Sequence, residues 1–72
     1  MNFNIIFAEE KSNKYLGKIA GLLLEMEAIR EVRKSEDNTT LTCIVTENDA
    51  VAVNYDMVEL AVSNASHTIH II

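Results

Sequence analysis

Three short runs of alternating apolar residues limit the fold more than any other feature of this chain. They are "NFNIIFA" at residues 2–8, "TLTCIVT" at 40–46 and "HTIHII" at 67–72. A period of two puts Phe3, Ile5 and Phe7 on one face of the first, Leu41, Cys43 and Val45 on one face of the second, and Ile69 and Ile71 on one face of the third. Half-buried strands carry this pattern, and β-branched residues favour it. Between the first two runs the period changes. Lys14 to about Arg33 contains no proline, and Leu16, Ile19, Leu22, Leu23, Met26 and Ile29 recur at helical spacing. Asn13 can cap that helix, and the polar "KSEDNTT" that follows reads as a loop. Leu23 lies near the middle of the stripe and is expected to be fully buried.

Residues 47–65, "ENDAVAVNYDMVELAVSNA", admit two readings. As one helix they begin with a capping box at Thr46 and Asp49 and bury Val51, Tyr55, Val58, Val62 and Ala65. Alternatively Asn48-Asp49 makes a tight turn, "AVAVN" is a strand, and a helix runs from Tyr55 to about Ala65. The second is preferred, because Val51 and Val53 favour a strand. It gives a single α+β domain over residues 1–72: a ferredoxin-like βαββαβ two-layer sandwich, with a four-stranded antiparallel sheet and two helices on one face. The crossover rule then puts the first and third strands in the centre of the sheet and the last at an edge. The alternative is βαβαβ with a three-stranded parallel sheet.

Within "TCIVTENDAVAVNYD" the run Val51, Val53, Tyr55, Asp56 resembles the end of the third strand in small heavy-metal-associated domains. The resemblance covers residues 42–56 and implies the same βαββαβ order. That family holds its metal with two cysteines spaced by two after the first strand. This chain has "FAEEKSNK" there, which argues against a metal function.

Composition narrows the function classes. The chain has 72 residues, 49% hydrophobic and 24% charged, so a packed but small core is expected, with oligomerisation or a partner adding stability. A net charge of −5 opposes binding to nucleic acid or anionic membranes. No apolar run approaches the ~20 residues that span a bilayer. The opening "MNFNIIFAEEKSN" lacks the basic head and cleavage site of a secretory leader, and the lone Cys43 suits a reducing compartment, so a cytoplasmic location is expected.

"GKIAGLLLEMEAI", residues 17–29, carries two glycines four apart. They lie inside the expected helix, not between a strand and a helix, so they do not form a phosphate-binding turn. Lys18, Glu25 and Glu27 rule out a membrane seam. Gly17, Gly21, Leu24 and Ala28 instead fall together on the helix wheel, away from the core stripe, and form a candidate helix-packing face.

The remaining polar residues offer little chemistry. His67 and His70, three apart on a strand, point to opposite faces. Cys43 shares an apolar face, as a buried and inert thiol does. Glu9-Glu10 and Glu36-Asp37 read as solvated loop charge, and Asp56 as a helix-start residue. No catalytic, cofactor or metal residues are assigned, and an enzyme is not expected.

The outer face of the sheet is more informative. Alternation places Asn4, Ile6, Ala8, Thr42, Ile44, Thr46, Ala50, Ala52, Thr68, His70 and Ile72 there, a face without charge or aromatic rings. Ile6, Thr42, Ile44, His70 and Ile72 are the candidate protein interface. The expected function is a small acidic, non-enzymatic protein-binding module. It would self-associate as a homodimer or bind a host protein through this face, as a regulator or inhibitor. The alternative is a small-ligand-sensing domain with a site at a dimer interface.

Overall fold

The computed structural model describes residues 2–46 and 52–72. Its elements are β1 (Phe3–Phe7), α1 (Asn13–Leu24), β2 (Ile29–Lys34), β3 (Thr40–Val45), α2 (Tyr55–Ala61) and β4 (His67–Ile71). The sheet order is β2-β3-β1-β4, with every neighbouring pair antiparallel. This is the expected ferredoxin-like βαββαβ sandwich, and β4 is at an edge. The chain reaches it through different elements, however.

Helix α1 ends at Leu24 instead of running on to Arg33, and the last five residues of the expected helix, 29–33, form strand β2 together with Lys34. The helix-like spacing of this strand comes from a bulge. Ile29 pairs with Val45 and Glu31 with Ile44, so β2 spends one extra residue on one step of β3. A bulge turns residues three apart onto the same face. Ile29 and Val32 therefore both point at the helices, at a spacing that imitates a helix. The hairpin is β2–β3, and not the expected pair 40–46 with 50–54. Ala52, Val53 and Asn54 are not in a strand. The expected turn at Asn48-Asp49, with Ala50 and Val51, lies outside the described residues. The run that resembles a heavy-metal-associated hairpin therefore holds the end of β3 and the start of α2.

Local chemistry sets the ends of the elements. The N–H of Tyr15 donates to the Ser12 hydroxyl at 3.1 Å, so Ser12 is the cap of α1 and Asn13 its first residue. Asn54 caps α2 by accepting from Asp56 and Met57, and α2 closes at Ala61. In the β2–β3 turn Asn38 takes φ 59°, a left-handed conformation that asparagine tolerates. Its side chain donates to the Lys11 carbonyl at 2.9 Å and to Asn13 Oδ1 at 2.8 Å, while Lys11 N–H donates back to the Asn38 carbonyl. The hairpin tip is thereby tied to the start of α1.

The core lies between the two layers. Phe3, Ile5 and Phe7 from β1 and Leu41 and Cys43 from β3 meet Leu16, Ile19 and Leu23 from α1. Ile29, Val58 and Val62 complete the cluster. Tyr55 meets Phe3 edge-on at 5.3 Å between centroids, and Tyr15 meets Phe7 at 5.9 Å. Leu22, expected in the stripe, is exposed and stands at the seam with α2.

Leu23 has no exposed surface. Leu23→Ala is expected to lower the unfolding free energy by about 2–5 kcal/mol in chemical denaturation. A loss below about 1 kcal/mol would show a core that closes over the missing atoms.

Candidate functional site

The register orders the outer face of the sheet into rows. One row runs Arg33, Thr42, Asn4, His70 across all strands. Thr42 donates to Asn4 within it at 2.7 Å. On one side of this row stand Thr40, Ile6 and Thr68. On the other, Glu31 pairs with Ile44, and Asn2 accepts from the N–H of Ile72 at 3.0 Å.

This arrangement revises the expected interface. Thr42 and His70 share a row, and Ile44 and Ile72 flank Asn2. Ile6 is set apart from both isoleucines by a polar row. The face is also not free of charge, since β2 contributes Glu31 and Arg33, which pair with each other. The outer face is thus a polar-striped surface with separate isoleucines. Ala8 and Ala52 are exposed beyond the strands, and Ala50 lies outside the described residues.

The two edges of the sheet differ more than its faces do. Edge β2 carries Arg30, Glu31, Arg33 and Lys34 and a bulge. Charge and bulges of this kind keep edge strands from pairing with other chains. Edge β4, "HTIHI", has no acidic or basic side chain other than its histidines. Ile71 at its end is 49% exposed, and Ile72 just after it 64% exposed. The hydrogen-bond phase of β4 is set by two bonds. Ile72 N–H donates to Asn2, and Ala8 N–H donates to the Ser66 carbonyl at 2.9 Å. In an antiparallel pair, bonded residues alternate. Thr68, His70 and Ile72 therefore turn their backbone groups to β1, while His67, Ile69 and Ile71 turn theirs outward to the open edge.

The glycine face is not a packed face within the chain. A Cβ at Gly17 or Gly21 would meet nothing within 4 Å, and Leu24 is exposed. Ala28 is buried, but it lies in the turn before β2 and not on the helix, and its carbonyl accepts from Thr46. Each helical glycine costs about 1 kcal/mol against alanine. Gly17→Ala and Gly21→Ala are each expected to raise the unfolding free energy by about 0.5–1 kcal/mol, since both sites have room for a methyl group. A decrease for either variant would place a neighbour against that face.

Two titratable groups are set by burial and by the hairpin turn. Cys43 is fully buried, and burial pushes its thiol up to about 12, so it is not a nucleophile. Asp37 is held below the usual carboxylate range by the hydroxyls of Ser35 and Thr39, inside the hairpin turn. No group of three or more metal-ligating side chains occurs among the described residues. No helix among them is long and apolar enough to cross a membrane.

His67 is a feature that sequence reading did not find. Its Nδ1 lies 2.7 Å from the Ala65 carbonyl oxygen and its Nε2 2.8 Å from the Glu59 carboxylate. Both neighbours are acceptors, and only the imidazolium donates from both nitrogens. The Ala65 carbonyl, and then Glu59, raise its pKa against the opposing effect of burial. A raised folded-state pKa stabilises the fold below the unfolded value of about 6.5, and that contribution is lost as pH rises through the folded pKa. The unfolding free energy of the native chain is therefore expected to fall, relative to Glu59→Gln, as pH rises above about 6.5, as read from urea melts. Parallel pH profiles for the two proteins would show that Glu59 does not hold the proton.

No model of a known protein family matches this chain, and no curated protein is significantly similar to it.

Proposed function

We propose that this chain is a small acidic protein-binding module without enzymatic activity, and that it self-associates through the β4 side of its sheet. The observation that carries the reading is the contrast between the edges: β2 is guarded by four charged residues and a bulge, and β4 by neither. An unguarded edge invites strand addition from another chain. The first partner is a second copy. Two β4 strands can meet without opposing fixed charges, although each molecule carries −5. The same net charge, and an outer face without aromatic rings, speak for protein over nucleic acid. Cys43 as a free thiol fits a cytoplasmic setting, and the acidic surface suits a regulator or inhibitor of a basic protein.

The outward phase of β4 defines one symmetric register. Antiparallel pairing centred on Ile69 sets Ile69 against Ile69 of the other copy and His67 against Ile71. Each outward residue then exchanges both its backbone bonds. On the outer face Thr68 stands beside His70 of the other copy. Thr68→Cys mixed with His70→Cys under mild oxidation is expected to give a disulfide-linked heterodimer. Each variant alone is not, because like positions lie diagonally at roughly 8 Å, beyond disulfide reach. Light scattering on the unmodified protein is expected to give twice the chain mass. A monomer at all concentrations would overturn self-association, and a dimer without the cross-link would overturn the register.

A further inference from the structure

The helix layer carries an apolar surface that the sheet-edge reading does not use. Leu22 on α1 is 42% exposed, and Met57 and Leu60 on α2 are 53% and 72% exposed. Leu22 divides two grooves between the helices. One, of about 330 Å³, lies between Leu22, Met26 and Met57. The other, of about 250 Å³, lies between Leu22, Ile19 and Leu60. Three large apolar side chains from two helices are thus gathered around one seam, where isolated surface leucines would be scattered.

Charge around the seam is one-sided. Glu25 and Glu27 line the first groove, and Asp56 and Glu59 flank Leu60 on its other side. Among the described residues, Lys18 is the single basic residue lining either groove. Among the described residues, Glu25, Glu27 and Asp56 form no ion pair, while Glu59 meets His67. A second copy would bring like charges together here, and an anionic membrane or a nucleic acid would be repelled. An apolar seam between helices with an acidic rim complements an amphipathic helix that has leucine-type residues on one face and lysine or arginine on its borders.

We infer that the α1–α2 seam around Leu22, Met57 and Leu60 docks a basic amphipathic helix of a partner protein. The helix lays its apolar face over the two grooves and its cations against Glu25, Glu27 and Asp56. The acidic rim governs encounter and orientation, and the three apolar side chains hold the bound state. The seam lies on the helix layer and touches β4 only at its rim, where Glu59 meets His67, so a chain paired through the open edge of β4 presents one such seam per copy.

The test is a fluorescence-anisotropy titration with a labelled helical peptide of leucine and lysine at amphipathic spacing. Controls are a scrambled peptide of the same composition and one with glutamate in place of lysine. Saturable binding is expected for the first peptide alone. Leu60→Asp should weaken it about tenfold or more, as loss of a central apolar anchor does. Glu25→Lys combined with Glu27→Lys should weaken it with a reduced salt dependence. Circular dichroism of these exposed-site variants confirms that each is folded. Four results would overturn the inference: no saturation with the basic peptide, equal binding of the scrambled peptide, unchanged affinity in Leu60→Asp, or adsorption to phosphatidylcholine vesicles in place of peptide binding.

Discussion

Strand β1 is the member on which the rest of the structure depends. Its odd residues, Phe3, Ile5 and Phe7, fill the middle of the core, and both of its edges are used. Phe7 N–H donates to the Thr39 carbonyl at 2.7 Å on the β3 side, while on the other Ala8 and Asn2 bond to Ser66 and Ile72, which flank β4. A strand paired on both edges and buried on one face leaves no freedom in register, because a one-residue slip would carry the phenylalanines out to water. Among the described residues the two outermost strands, β2 and β4, are then the edges of the sheet, and the chain treats them differently.

How far the sequence was legible follows from periodicity. β1, β3 and β4 alternate, and the buried residues of β1 and β3 were readable one by one, as were Leu16, Ile19 and Leu23 on α1, whereas Ile71 of β4, expected inward, is 49% exposed at the sheet edge. β2 was not readable. Its bulge at Arg30 gives Ile29 and Val32 a spacing of three, which continues the stripe of α1 through Met26 without a break. Misreading β2 as helix forced the missing strand to be sought at residues 50–54. The topology survived because β-branched valines also occur there. The order of elements was legible, but the residues that form them were legible only in part.

The candidate surface shows the same limit. Alternation identified the outward residues of β1, β3 and β4, but which of them are neighbours depends on register across strands. That register places Asn4, Thr42 and His70 in a polar row between Ile6 and Ile44, so an apparently continuous apolar face became a striped one. The Glu31–Arg33 pair could not be expected there while β2 was read as helix. His67 and Glu59 are eight residues apart and meet only because α2 packs back toward β4. The contrast between a guarded β2 edge and a β4 edge that carries no charged side chain other than histidine needed both the topology and the bulge to become visible.

The central claim is that the outward backbone groups of β4 are the working surface of this protein. Residue-resolved amide hydrogen exchange along β4, measured in concentrated and in dilute solution, tests it most directly. Thr68 and His70, bonded to β1, should be protected in both. His67, Ile69 and Ile71 should be protected in the concentrated sample and exchange freely in the dilute one, because a second strand covers them only when copies meet. Free exchange at these three positions at every concentration, with Thr68 and His70 still protected, would contradict the account.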